Sequence, residues 1–543
     1  MFDELRNASN QLEEALDRYV RICSSIRDLC FQGLGTAPQD IISHHIEQVE
    51  KELGLAEKYD AKIQLAKTAI KVTRNYAFKS TSIINHLPDE LLNRIFHMTF
   101  AVDSQSAVCV ALVCSRWRSV ALRDPSLWSS VDLYPNFSKW FYPTLGCANL
   151  HISRSGSLPL DIYILSPDTK NGKYCDYLMK DVCRLAAPRM KSLCLDWEGF
   201  GRDELRASRH VALTKLFSGC SPGMFTKLVT RSDDFCFFGP KHQPTSMHWG
   251  INLGMEESQF EAVFTPVTIL NLTGLYPPWT SRAYHGLVEL RLVASMTDSN
   301  DSIRESELIN ILRSSPELRV LKIGLQVTNR AGESSGILVS LPNLQVLELD
   351  VIGASGGAYY LGLVHFLTLG RRPLDLTVYC YEQQLTRLSE GRTKAFLLRS
   401  NITRFRADEI PNPFEYLPLM PHLKVLILTD GFGSPTTSRV TDVIESPASD
   451  QRESSFITYP KLEICVVLRY SLSLDEFRSI MQQCQIQTLI IHASKFHRGT
   501  DRQMVALEVV KGELLGICSD VVITETIPEF VEHGNFFLDI GEL

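Results

Sequence analysis

Over the first eighty residues the apolar positions recur every seven. Leu5, Leu12, Tyr19 and Ile26 form one series, with Leu16 and Cys23 four residues after Leu12 and Tyr19 on the same helical face. The stretch QGLGTAPQD, 32–40, interrupts the pattern with glycines and a proline. A second series then runs through Ile42, Val49, Ala56, Ile63 and Ile70, with Ile46 and Leu53 beside it. Neither series sustains enough heptads for a long parallel coiled coil. The spacing predicts an N-terminal helical hairpin or short coiled coil over 1–78, its charged faces turned to solvent.

Between 80 and 135 the pattern shortens to three small helices. Leu87-Pro88-Asp89-Glu90 opens the first: proline suits the first turn, and acids there complement the helix dipole. Leu91, Leu92, Ile95 and Phe96 give it an apolar face. A second helix is predicted over 106–122, with Val110, Val113, Cys114, Trp117 and Ala121 on one stripe. Asp124-Pro125 reads as an N-cap followed by proline at the first helical position, opening a third helix with Leu127 and Trp128. A unit this small is marginal on its own, so much of its apolar surface is expected to face something else.

From 150 to 543 a strand-like unit of the form L-x-x-L-x-L recurs. It appears as VTILNL (267–272), LVELRL (287–292), LRVLKI (318–323), LQVLEL (344–349), ITRFRA (402–407), LKVLIL (423–428), LEICVV (462–467) and IQTLII (486–491). The steps are 20, 31, 26, 58, 21, 39 and 24 residues, and the longest divides if PLDLTVY (373–379) is a further strand. Helical text such as ESELINILRSSPE or LDEFRSIMQQCQ precedes several units. Repeated helix-then-strand text predicts an α/β solenoid, with an ordinary open α/β sheet as the alternative. Alternation places Lys322 and Glu348 on the exposed sheet face. SLPLDIYI, 157–164, reads as a strand leading into this region, and 229–260 as a long insertion. A last helix over 504–515 and the strand VVITET read as a cap.

Composition changes this picture little. A chain of 543 residues is too long for one core and implies roughly two to four domains. The net charge of −7 argues against a nucleic-acid binder, which usually carries a basic surplus. No apolar run is long enough for a membrane span, and the acidic N-terminus is not a secretory signal. The 14 cysteines are scattered and form no C-x-x-C pair, as expected of free thiols in a reducing compartment, cytoplasmic or nuclear. The acceptor triplets at Asn7, Asn136, Asn271, Asn300 and Asn401 then carry no information.

LPDELLNRIF (87–96), LVCSRWRSVA (112–121) and DPSLW (124–128) together resemble the F-box in order and spacing. One departure is visible: where that family has an aspartate-leucine pair opening its second helix, this chain has 104–108, SQSAV. The resemblance implies a three-helix module that docks on a Skp-family adaptor, which joins it to a cullin scaffold and a ubiquitin-loading partner. By matching position it assigns adaptor contact to Leu87, Pro88, Leu91, Ile95, Leu112, Val113, Cys114, Trp117 and Trp128. The recurring units are similar to leucine-rich repeats, whose period is about 20–29 residues. They lack the family's asparagine or cysteine three residues past each strand, where Leu275, Ser295, Gln326, Ile352, Ile410, Gly431, Tyr470 and Ser494 stand. The expected protein is therefore multidomain, α plus α/β: a helical hairpin over 1–78, an F-box over 80–135, and an irregular leucine-rich-repeat-like target-binding domain over 150–543. Its implied role is substrate recognition in an SCF-type E3 ubiquitin ligase, acting by proximity and without a catalytic residue. A scaffold outside ubiquitin transfer is the alternative.

A third alternative is an α/β enzyme. Residues 353–357, GASGG, fit G-x-S-x-G with Ser355 as nucleophile, and GESSG at 332–336 fits as well. Neither is preceded by an oxyanion motif, and no phosphate-loop pattern is present, so a glycine-rich turn is the plainer reading. His44 and His45 are helix neighbours that point apart and make a poor metal pair. Cys30, Cys109 and Cys114 sit in apolar text without a nucleophile signature. No metal, cofactor, nucleic acid or membrane is expected.

Overall fold

A computed structural model describes residues 1–33, 39–79, 83–102, 106–133, 136–137, 141–165, 173–174, 176–197, 206–233, 235–241, 250–295, 302–328, 338–350, 364–379, 391–408, 410, 413–429, 458–499 and 503–532. The chain divides into two compact units, Met1–Leu91 and Leu92–Leu543.

The first unit is built on α1 (Phe2–Gly33) and α2 (Gln39–Lys79). Tyr19 joins them. Its hydroxyl donates to the Glu52 carboxylate at 3.4 Å, and its ring meets Tyr59 edge-on at 6.3 Å. Tyr19 precedes the helix connection by about as many residues as Glu52 follows it, so the two helices run antiparallel. Much of the seven-residue stripe stays in solvent: Leu5, Leu12, Leu16, Ile26, Ile46, Val49, Leu53 and Ile70 are all exposed.

The second unit contains one fourteen-stranded, all-parallel sheet. Its strands are β1 (Ser130–Leu133), β2 (Leu160–Leu165), β3 (Met190–Trp197), β4 (Lys227–Ser232), β5 (Ile269–Thr273), β6 (Glu289–Val293) and β7 (Val320–Gly324). Then come β8 (Val346–Asp350), β9 (Leu374–Tyr379), β10 (Ile402–Asp408), β11 (Val425–Thr429), β12 (Ile464–Leu468), β13 (Thr488–His492) and β14 (Asp520–Thr524). They lie side by side in chain order from first to last. An open doubly wound sheet reverses its strand order and binds ligands at that reversal; this sheet has no reversal.

Every recurring unit of the sequence contains one of these strands. PLDLTVY supplies β9 and so divides the longest step. Register explains the pattern. Leu270, Leu290, Leu321, Leu347, Leu376, Phe405, Leu426, Cys465, Leu489 and Val521 stand opposite one another on successive strands and are all buried in one continuous core. An apolar residue at a fixed point of each unit, most often leucine, thus becomes a ladder across the sheet.

Two expectations need correction. The insertion assigned to 229–260 is not irregular at its start: Lys227–Ser232 is β4, an interior strand of the large sheet, and Cys236–Gly239, Gly250–Asn252 and Leu275–Tyr276 pair in a small parallel sheet. KLVTRS carries a single leucine and lacks the L-x-L spacing of the clearest units, which hid it. Lys322 and Glu348 are not exposed. They face each other in register on β7 and β8, form an ion pair at 3.2 Å, and keep only 5% and 6% of their side-chain surface. The Lys322 ammonium also sits 5.2 Å from the centre of the Tyr379 ring, a cation–π distance.

Candidate functional site

The helical segment before the sheet consists of α3 (Asp89–Val102), α4 (Ser106–Val113), α5 (Ser115–Arg123) and a single 3-10 turn, Pro125–Trp128. The helix predicted over 106–122 is therefore two helices. Cys114 takes extended backbone, and its Sγ accepts the Trp117 N–H at 3.5 Å as the N-cap of α5. Arg118 Nε donates to the Ala111 carbonyl at 2.9 Å, which satisfies a terminal carbonyl of α4 across the break. The predicted stripe accordingly splits: Val110 and Ala121 are buried, while Val113 is exposed.

Asp124 ties the segment together. It caps the final turn, with the Ser126 N–H donating to Oδ1 at 2.9 Å and Pro125 at the first helical position, as the sequence predicts. Its other oxygen takes a hydrogen bond from Asn93 Nδ2 and lies 2.9 Å from His97 Nε2, both on α3. Partial burial works to raise the Asp124 carboxyl. The hydrogen bonds from Ser126, Asn93 and His97 outweigh it and hold the carboxyl well below the usual carboxylate range.

The two tryptophans do different work. The Trp117 ring packs at 5.1 Å from Phe96, which is buried on the inner face of α3, and remains half-exposed. Trp128 is 1% exposed. Its Nε1–H donates to the Ala121 carbonyl at 2.9 Å, and its ring stands edge-on to His151 of α6 (Phe141–Arg154) at 5.2 Å. His151 is itself buried, with Nδ1 2.6 Å from the Ser130 carbonyl of β1. Trp128 therefore fastens the helices to the start of the sheet. Its assignment as an adaptor contact is corrected: a side chain only 1% exposed offers a partner almost nothing to touch.

The other sequence-assigned residues differ from it. Pro88, Leu91, Ile95, Leu112, Val113 and Cys114 are exposed, and Leu87 and Trp117 are half-buried. On α3 the split is clean: Leu92 and Phe96 face inward, while Leu91, Ile95 and Met98 form an outward stripe at i, i+4 and i+7. At the end of α4, Leu112 and Val113 keep 68% and 60% of their surface. Met98 was missed by sequence reasoning, although its seven-residue spacing from Leu91 signals it. Large aliphatic side chains left in water on α3 and at the end of α4 suit contact with an apolar partner.

Elsewhere the chemistry is sparse. Ser355 and the 332–336 motif lie outside the described residues. Among the described residues no group of three or more His, Cys, Asp or Glu side chains is placed to hold a metal, and no helix is long and apolar enough to cross a membrane. Burial pushes the Cys194 thiol up to about 11 and the Cys183 and Cys220 thiols up to about 12, which suits packing rather than nucleophilic attack. A surface cleft between Glu257, Glu261, Thr280 and Arg282 gathers polar groups. The Glu261 carboxylate there is already committed to the Arg282 N–H at 2.7 Å and the Ser281 hydroxyl at 3.3 Å.

No curated protein matches this chain. An F-box-like family model matches residues 84–134, the segment that holds both tryptophans, the Asp124 cap and the outward aliphatic stripe, and the chain thus carries an F-box-like domain at 84–134.

Proposed function

We propose that this protein is the substrate-recognition subunit of an SCF-type E3 ubiquitin ligase. Its F-box-like domain docks on a Skp-family adaptor and, through it, on a cullin scaffold, while the sheet region holds a target protein. The observation that carries this reading is the outward aliphatic surface of the matched segment: Leu91 and Ile95 on α3, with Leu112 and Val113 at the end of α4. Isolated docking helices gain affinity from a few large apolar side chains seated in a partner's pockets. Leu87, Pro88, Cys114 and Trp117 complete the proposed contact set, Met98 joins it, and Trp128 leaves it. The parallel strands in chain order support a leucine-rich-repeat-like solenoid as the target-binding part, because such folds present extended surfaces to other proteins. The protein would then work where the ligase works, in the cytoplasm or nucleus.

The test is co-expression with a Skp-family adaptor and a pull-down. Leu91→Asp and Leu112→Asp change exposed positions, so circular dichroism should stay native while adaptor retention falls at least tenfold. Unchanged retention by both folded variants refutes the contact surface. No retention by the wild type refutes the ligase reading itself. Deleting the whole segment is a poorer test, because it also removes the buried Trp128–His151 contact.

A further inference from the structure

One row of positions crosses the sheet on the face opposite the leucine ladder. In register it runs Asn271, Arg291, Lys322, Glu348, Thr377, Arg406, Ile427, Val466, Ile490 and Val522. Up to Arg406 it is polar. From Ile427 onward it is aliphatic and β-branched. Ile427 and Val466 are fully buried, Ile490 is half-buried and Val522 is exposed, so a cover lies over the first part of this aliphatic row, and the chain supplies it. After β14 the backbone turns on Thr524, whose Oγ1 donates to the Thr526 carbonyl at 2.7 Å and accepts the Thr526 N–H at 3.2 Å. Residues 527–532 then return across the face, with a single helical turn at Glu529–Glu532.

The contacts of this returning segment are few and of a particular kind. Val531 is fully buried against Ile427, Val466 and Leu468, with Val425, Ile464, Ile490 and Ile527 around them. The two carbonyls at Phe530 and Val531 accept hydrogen bonds from the guanidinium groups of Arg404, at 2.7 Å, and Arg406, at 3.4 Å. Both arginines are held in place by carboxylates. Arg404 lies 3.5 Å from Asp375 and Arg406 3.3 Å from Asp408, and Arg406 also stacks 5.7 Å from the Tyr379 ring centre. Phe530, the aromatic neighbour of the anchor, is left exposed. One aliphatic side chain in a socket and two main-chain carbonyls on fixed guanidinium groups are a means of holding a peptide, and they need little from the rest of its sequence.

We infer that the aliphatic half of this sheet face is a peptide-binding site, which residues 527–532 occupy in cis and which a target segment of the same chemistry takes over. The matching ligand is a short peptide with a β-branched aliphatic anchor and free carbonyls at the anchor and the residue before it. Identifying it as the target site rests on the ligase reading above; the peptide site itself does not. A tethered occupant competes at high effective concentration, so it weakens apparent binding of a free peptide by the fraction of time it fills the site.

The experiment uses the full chain and a fluorescent synthetic peptide, TETIPEFVE, which copies 524–532. Val531→Asp should release the cis segment, and fluorescence polarisation should then show the peptide binding at least tenfold more tightly than to wild type. A chain ending at Thr524 should behave the same way, and TETIPEFDE should bind neither. The site is overturned if both variants fold and bind the peptide no better than wild type, if TETIPEFDE binds as well as TETIPEFVE, or if both variants unfold, which would make the segment ordinary core. Adaptor pull-down of the same variants separates the two readings. Retained adaptor without peptide binding removes only the site; peptide binding without adaptor removes only the ligase role.

Discussion

At the scale of the residue, Trp117 and Trp128 show how alike two side chains look in sequence and how differently they are used. Both sit among apolar residues of a matched motif, yet one is half-exposed beside Phe96 and the other is sealed between Ala121 and His151. Trp128→Ala should therefore cost about 3–5 kcal/mol in urea unfolding, the range for truncating a buried large aromatic. Trp117→Ala should cost less stability and more adaptor binding. Equal destabilisation by the two would contradict the assignment. Asp124 gives a pH signature. Its folded carboxyl titrates below its unfolded value, so its contribution is complete above the unfolded value and is lost as pH falls through the folded one. Asp124→Asn should flatten the acid side of the stability–pH curve, and Asp124→Ala should cost about 1–2 kcal/mol at neutral pH as a lost N-cap. An acid limb unchanged in Asp124→Asn would assign that limb to other carboxylates.

At the scale of the element, the strands were legible because a parallel sheet repeats its neighbours' positions. Leu290, Leu321, Leu347 and Leu426 announce themselves by alternation alone. The same alternation put Lys322 and Glu348 in water, and there it failed. Alternation tells which face a side chain leaves from, but not what else covers that face. The pair is buried and closely matched, so removing one partner leaves a charge without its counterion in a dry place. Lys322→Met should destabilise by about 3–5 kcal/mol, whereas Lys322→Met with Glu348→Leu should lie near wild type. A double variant as unstable as the single would show that the pair stabilises outright. Adaptor binding should be the same in all three. The break between α4 and α5 was hidden for a related reason: Cys114 is rarely an N-cap, and nothing in LVCSRW forbids a continuous helix.

At the scale of the whole molecule, Trp128 and His151 share one interior within Leu92–Leu543, so the short helices up to Trp128 and the start of the sheet pack together. The sequence by itself determined the helical N-terminus, the F-box-like segment and most of the sheet's strands. Those features are written in local spacing: seven-residue periods, caps beside prolines, and leucines at fixed points of a repeated unit. Only the tertiary structure decided that β4 belongs to the sheet, that Lys322 and Glu348 are buried, and that Trp128 faces inward. It alone brought Arg404 and Arg406 onto the carbonyls of Phe530 and Val531, 126 and 125 residues away. The physical reason is the same in each case. Burial is a property of what comes to lie over a side chain, and contacts between residues far apart in the chain leave no periodic trace in it.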